Sequence, residues 1–238
     1  MIMDKVYFIA KKELLSYFKS PVAYITLVLS ISVFNVFFFL IIDQNREVSL
    51  SDVFHVMEFM FLFLVPIMTM RLFSEEKANG TMEFLMTAPV TNTAIVLGKY
   101  LGVLVFFSIL ISFTLIYFAI IEFFGSPDRL TIASGYFGVW LEGAFFIAVG
   151  MMASAWTRNQ IVAAMTSYVI LFLLYFLINF TKYFTGPAET FLQYMSTLVH
   201  LEHFIVGVIT PGDLIYYLSG IFICIVFTRL SIENRLFQ

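Results

Sequence analysis

Charged residues are scarce in this sequence. Asp, Glu, Lys and Arg make up 12% of the 238 residues, against about 25% in soluble globular proteins. Apolar residues make up 61%. The longest mixed polar stretch, about residues 182–213, is shorter than the roughly 50 residues that a soluble domain needs. The composition therefore excludes an ordinary soluble protein and gives no sign of a separate soluble domain.

Cysteine is almost absent as well. Cys224 is the single cysteine and lies inside an apolar run, which excludes an intramolecular disulfide and a cysteine-rich metal site. The sequence also contains no GxxxxGK[ST] phosphate loop, no HExxH motif and no GxSxG motif. It offers no visible means of hydrolysing ATP, so we expect a chain that is not itself an enzyme and that binds no cofactor.

Long apolar runs are what the sequence does contain. A helix needs about 20 predominantly apolar residues to span a membrane. Six segments are predicted as spans: about residues 22–42, 53–73, 94–122, 130–156, 160–181 and 213–230. We therefore predict an all-α integral membrane protein with a single transmembrane domain over residues 1–238. The fourth span is rich in glycine and alanine, which let helices approach closely, so we expect it inside the bundle.

Two further segments are too interrupted to span. Residues 4–19 alternate apolar positions with lysines and end at Ser20-Pro21, which predicts an interfacial helix rather than a free tail. They carry too many charges for a cleavable signal peptide, so we expect the N-terminus to be retained. Residues 182–212 break at Gly186-Pro187 and then recur with helical spacing, which predicts a re-entrant hairpin of two short helices before the last span.

The basic residues predict the orientation. Placing the N-terminus, the 74–91 connection, the turn at 157–160 and the C-terminal tail on one side collects ten of the 13 Lys and Arg residues. By the positive-inside rule this side is cytoplasmic, so both termini are expected there. In this arrangement Lys99 lies close enough to the cytoplasmic face for its ammonium group to snorkel to water.

The connection between the second and third spans differs from an ordinary loop because it keeps a helical pattern. Residues 71–99 mix charged and large apolar side chains, which predicts an amphipathic elbow at residues 74–91 against the membrane surface. Asn79-Gly80 is typical of a helix end, Thr81 can cap a new turn, and Pro89 ends that turn.

A set of residues in this elbow resembles the cytosolic elbow of permease subunits of the type-2 ABC export family. The set is Glu75, Glu76, Gly80, Thr81, Glu83, Leu85, Pro89 and Gly98-Lys99. The resemblance implies that the elbow is a coupling helix on a separate cytosolic ABC ATPase, which would bind ATP and Mg²⁺. Phe84 and Leu85 would fill a groove on that ATPase, and the carboxylates would meet basic residues around it. A charged connector with no partner is the alternative.

The family resemblance also implies partners and a location. It implies a dimer with a second permease, either identical or homologous, in the bacterial inner membrane. Lipid surrounds such a chain, and we expect no nucleic-acid partner. The substrate would pass between the two permease halves as the ATPases close.

A second resemblance lies in the 182–212 hairpin and the start of the last span. His200, Glu202, Gly207 and Asp213, followed by Tyr216-Tyr217-Leu218-Ser219, resemble the gliding-motility and copper-site-maturation branch of the same family. His200, Glu202 and His203 could instead suggest a metal, since histidines at i and i+3 share a helix face, but a structural site needs four ligands and no fourth has a defined spacing. We expect no metal.

Few ionisable residues fall within the predicted spans. Glu142 lies near the middle of the fourth span, where a charge is costly, so it is either a residue of the transport pathway or a packing residue that is protonated or hydrogen-bonded. His55, Glu58 and Glu122 lie near span ends, where we expect plain solvation at the interface.

The sequence leaves two other functions open. An intramembrane enzyme could use Glu142 or the residues at 200–203, although it would need more converging polar side chains than the sequence offers. A membrane scaffold that anchors a surface machine without transporting anything is the other alternative.

Overall fold

The computed structural model describes residues 2–45, 49–82 and 90–233, and these residues form helices joined by short connections. The helices are α1 (Ile2–Lys19), α2 (Pro21–Asn45), α3 (Ser51–Thr69), α4 (Arg71–Ala78), α5 (Asn92–Phe124), α6 (Arg129–Trp156), α7 (Gln160–Phe180), α8 (Pro187–Met195), α9 (Thr197–Ile205) and α10 (Pro211–Glu233). A short 3₁₀ turn, Thr181–Tyr183, follows α7.

Six of these segments are long and apolar enough to cross a membrane. They are α2, α3 together with α4, α5, α6, α7 and α10. The prediction of an all-α protein with six spans is confirmed. The residues predicted as a hairpin, 182–212, contain α8 and α9.

The centre of the bundle is α6, because 83% of its most apolar stretch is buried. Helices α3, α4, α5, α7, α9 and α10 all pack against it. Its glycines permit this contact: a Cβ at Gly143 would lie 2.1 Å from the Phe107 ring, and one at Gly150 would lie 2.0 Å from Thr69 Oγ1. Small residues in the fourth span thus bring the neighbouring helices close to its backbone.

The periphery of the bundle is formed by α2 and α7, which are only 28% and 22% buried over their most apolar stretches. Their outward faces carry large apolar side chains such as Ile25, Val28, Met165 and Val169. Helices that expose such surface are suited to contact with lipid or with other apolar helices.

The two ends of the bundle differ. One end, which we call the elbow end, contains α1, α4, the start of α5 and the final turns of α6 and α10. The other, the hairpin end, contains the turn at residues 125–128 together with α8 and α9. Helix α8 has no buried residue, whereas α9 buries Leu201 and Phe204 against α6.

Helix α1 lies against the first turns of α5. A Cβ at Gly98 would lie 2.6 Å from Ile9 Cβ, and one at Gly102 would lie 2.7 Å from Glu13 Cβ. The lysines at positions 11, 12 and 19 are exposed on the other side of α1. The helix is thus amphipathic, with its apolar face on the bundle.

Candidate functional site

Lys99 joins three helices at the elbow end. Its ammonium group on α5 donates to the Leu72 carbonyl of α4 at 2.7 Å and to Glu76 Oε1 at 2.8 Å, and it lies 3.4 Å from Glu13 Oε2 of α1. The side chain is only 3% exposed. The expectation that Lys99 snorkels to water is therefore wrong, because two carboxylates and a carbonyl satisfy the ammonium group inside the protein.

Arg71 fastens the end of α1 to the start of α4. Its guanidinium group lies 4.6 Å from the centre of the Tyr17 ring and donates to Ser20 Oγ at 2.8 Å. The Tyr17 hydroxyl donates in turn to the Met68 carbonyl of α3. Burial raises the pKa of Tyr17, so this phenol remains a neutral donor.

Helix α4 is also bound to the end of α6. The Ser154 hydroxyl donates to the Met70 carbonyl at 2.8 Å and accepts from the amides of Phe73 and Ser74, both at 3.1 Å. These two amides lie in the first turn of α4, where the helix itself supplies no acceptor. Lys77 donates to the Ala155 carbonyl as well. The break between α3 and α4 is therefore stabilised by a side chain of another helix.

The opposite side of α4 faces solvent. Glu75, Asn79, Gly80 and Thr81 are exposed, and a cleft of about 210 Å³ between α1 and α4 is lined by Lys12, Glu13, Arg71, Glu75 and Glu76, among others. Glu76 turns inward to Lys99, so the two neighbouring glutamates have different surroundings.

The end of α4 has the geometry that the sequence indicates. The helix ends at Ala78, and Gly80 adopts a φ of 69°, a conformation that favours glycine. The Thr81 amide donates to the Glu76 carbonyl at 3.0 Å. Four residues of the predicted elbow, Glu83, Phe84, Leu85 and Pro89, lie outside the described residues.

A second group of polar residues lies deep in the bundle. Glu58 of α3 and Glu142 of α6 are both 0% exposed and lie side by side. The prediction that Glu58 is solvated at the interface is wrong, because α6, the central helix, covers it. No local pattern in the sequence indicated this burial, because it depends on how α3 packs against α6.

The residues resembling the gliding-motility branch fall into two environments. His200 Nδ1 lies 2.6 Å from Asp213 Oδ1 and His200 Nε2 lies 2.8 Å from the Tyr194 carbonyl, so α8, α9 and α10 are held together. Asp213 also accepts from Thr210 and lies 3.0 Å from His203 Nδ1. Glu202 faces away from this cluster and lies 3.3 Å from His55.

The remaining residues of the hairpin end are held by local geometry. Gly207 follows α9 with a φ of 88°. Glu122 is half-buried and pairs with Arg129 across the turn between α5 and α6. Within the part of the chain that the structure describes, His, Cys, Asp and Glu form no group of three or more that could hold a metal ion.

Comparison with known proteins gives one result over most of the chain. The sequence profile of the ABC-2 family transporter proteins matches residues 6–223. No curated protein matches the chain. The match begins within α1, runs through the helices of the hairpin end and stops within α10, so all six long apolar segments fall inside it except the last turns of α10. The chain therefore belongs to the ABC-2 family of transporter proteins, whose members are membrane components of ABC transporters.

Proposed function

We propose that this chain is the permease subunit of an ABC exporter and that its elbow, residues 74–91, couples the spans to a separate cytosolic ATPase. The observation that carries this proposal is the set of bonds through which α4 contacts α1, α5 and α6 at once. A helix with such contacts moves its neighbours when it moves. ATP and Mg²⁺ would be bound by the ATPase and not by this chain.

Each bond of α4 leads to a different part of the bundle. Lys99 connects α4 to the long third span, and Ser154 connects it to α6, the central helix. Met70 joins it directly to α3. A push on α4 would therefore displace α3, α5 and α6 together, as in rigid-body switching between two packed arrangements.

The exposed side of α4 suits a docking partner with basic residues. Glu75 points to solvent, and Glu83 is the next acidic residue of the elbow after the Glu75-Glu76 pair. The apolar Phe84 and Leu85 beside it would supply the buried anchor, and the carboxylates would form a charged rim. Reversing one rim charge should weaken association.

The proposal includes a dimer and an orientation. Ten of the 13 basic residues fall on the side of the elbow when six spans are threaded through a membrane, which favours a cytoplasmic elbow and cytoplasmic termini. The bacterial inner membrane is the location that such permeases occupy. The apolar outward faces of α2 and α7 leave room for a second permease, identical or homologous.

A role in gliding motility or copper-site maturation is a finer form of the same proposal. It rests on the sequence resemblance of His200, Glu202, Gly207 and Asp213. The packing of α8 and α9 around His200 and Asp213 gives these residues a structural role that any branch of the family could use.

The test is co-purification of the ATPase with variants of the elbow. Glu75→Lys and Glu83→Lys should each reduce the recovered ATPase roughly tenfold, the change that about 1.4 kcal/mol produces, and Leu85→Ala should do the same by removing an anchor. The matched control is Glu189→Lys on α8, which reverses an acidic charge at the hairpin end. Permease abundance and dimer size should stay unchanged in all four variants.

One outcome would contradict the coupling role. If all three elbow variants retain full ATPase binding and full transport, residues 74–91 are only a connector between spans. If Leu85→Ala still binds the ATPase but no longer transports, the defect lies in the transmission of movement from the ATPase to the spans. The proposal allows this result.

A further inference from the structure

The side-by-side carboxyl groups of Glu58 and Glu142 have no hydrogen-bond partner among the described residues, and both side chains are 0% exposed. Thr197 of α9 is likewise 0% exposed and presents its hydroxyl to Glu142. Buried polar groups are nearly always hydrogen-bonded in proteins. Two carboxyl groups that meet from α3 and α6 without a hydrogen bond therefore indicate a site for something small.

Electrostatics restricts what that can be. Two ionised carboxylates in contact inside a low-dielectric interior repel each other strongly and are poorly solvated. A proton shared by the pair removes one charge and lets one carboxyl donate to the other. The described His, Cys, Asp and Glu side chains do not form a group of three or more suited to a metal ion, so a proton fits the pair better.

A route leads from this pair to the hairpin end. His55 Nδ1 lies 3.7 Å from Glu58 Oε2, and His55 Nε2 lies 3.3 Å from Glu202 Oε2. The side-chain exposure rises along this series, from 0% at Glu58 to 37% at His55 and 51% at Glu202. Histidine can take a proton at one ring nitrogen and release another from the second, and a small rotation of the ring closes the 3.7 Å gap.

The side of the pair nearer the elbow end is apolar. Three phenylalanines on this side of the carboxyl groups are at most 1% exposed. They are Phe61 of α3, Phe107 of α5 and Phe146 of α6. The Phe61 and Phe107 rings lie 4.8 Å apart in an edge-to-face arrangement. These aromatic rings separate the pair from the polar residues around Lys99.

Other titratable groups also face the pair. Tyr175 of α7 lies within electrostatic range of both carboxyls, and Tyr216 and Tyr217 of α10 lie within range of Glu142. These phenols are neutral under ordinary conditions. They add dipoles to the site but no charge, which leaves His55 as the basic group of the route.

We infer that Glu58 and Glu142 form a proton-binding site that exchanges its proton with water at the hairpin end through Glu202 and His55. The Glu202 carboxylate takes a proton from the solvent and passes it to Nε2 of His55, and His55 passes the proton of its Nδ1 to the pair. With the proton in place α3 and α6 are held together, and without it the two carboxylates push these helices apart. The site therefore makes the α3–α6 packing sensitive to pH at the hairpin end.

Infrared spectroscopy of the purified chain in lipid nanodiscs tests the site directly. Near neutral pH the wild type should show the C=O stretching band of a buried protonated carboxyl, and the double variant Glu58→Gln/Glu142→Gln should lack it. Glu189→Gln is the control and should keep the band. If the double variant does not assemble, the single variants serve, since each should shift the band of the remaining carboxyl.

Exchange into deuterated water tests the route. The band should shift rapidly in the wild type and at least about tenfold more slowly in His55→Leu, with a smaller delay in Glu202→Gln. A wild type without the band, a band that survives in the double variant, or a band left unshifted by both single variants would overturn the proton site. An exchange rate that is the same in His55→Leu as in the wild type would overturn the route through His55.

Discussion

Lys99 supplies one ammonium group to acceptors on α1 and α4 while its own backbone belongs to α5. Such a group is costly to bury alone but stabilising when each donor finds an acceptor. Its partners Glu13 and Glu76 retain 15% and 21% of their side-chain exposure, so water can partly solvate them if the lysine is removed.

We predict that Lys99→Met lowers the free energy of unfolding by about 1.5–3 kcal/mol, the usual worth of a hydrogen bond to a charged group. Thermal unfolding of the purified chain in detergent measures this. Lys12→Met removes an exposed lysine of α1 and should leave the midpoint unchanged. Equal midpoints for the two variants would show that the Lys99 contacts contribute nothing.

Asp128 is a residue whose contribution depends on pH. It caps α6 by accepting from the Leu130 amide at 3.0 Å and from the Thr131 hydroxyl at 2.8 Å. Hydrogen bonds from the Thr131 hydroxyl and from the Leu130 and Thr131 amides lower the pKa of Asp128 below its ordinary value of 3.8. A lowered pKa in the folded state means that the cap stabilises the protein above the unfolded-state pKa and is lost as pH falls through the folded-state pKa.

The protection factors of the Leu130 and Thr131 amides, that is, their exchange corrected for the intrinsic pH dependence of amide exchange, should therefore hold at neutral pH and fall below about pH 4. Asp128→Asn keeps an acceptor at the cap and removes the titration. We expect the protection factors of these two amides in the variant to be independent of pH over the same range. An acid-induced loss of protection of equal size in both proteins would assign the effect to another group.

At the scale of helices, the contact between α1 and α5 depends on two glycines one turn apart. Gly98 and Gly102 bring the backbone of α5 within van der Waals contact of Ile9 and Glu13. A Cβ at position 98 would also lie 3.1 Å from the Val6 carbonyl oxygen of α1, and one at position 102 would lie 3.0 Å from the Ala10 carbonyl oxygen. The neighbouring helix must then move as a whole.

We predict that Gly98→Leu displaces α1 from α5 without preventing membrane insertion. Hydrogen exchange over α1 should become faster by at least about tenfold, because its apolar face loses its cover. Ala119→Leu places the same side chain at an exposed position of α5 and is the control. Unchanged exchange in Gly98→Leu would mean that α1 packs equally well without the close approach.

For the whole molecule, the orientation in the membrane is the property with the clearest measurement. In a Cys224→Ser background, single cysteines at Asn79, Ser126 and Thr185 all lie at exposed positions. An impermeant thiol reagent applied to intact cells should label positions 126 and 185, and position 79 only after permeabilisation. Labelling of position 79 alone in intact cells would reverse the proposed orientation.

The sequence by itself determined the class, the six spans and the family. Long uncharged runs admit few structures other than membrane helices, because every backbone polar group must be satisfied within the bilayer. The glycines of the fourth span likewise indicated its central place, and Asn79-Gly80 indicated where α4 ends, since these features depend on local chemistry alone.

Only the tertiary structure decided which polar residues meet. Lys99 and Glu58 both lie near the ends of predicted spans, where position in the sequence suggests solvation. In the structure α1 and α4 cover Lys99, and α6 covers Glu58. Lys99 meets Glu13, 86 residues away along the chain, and Glu58 meets Glu142 from another helix. Such pairings depend on the rotation and crossing of whole helices, which no local pattern specifies.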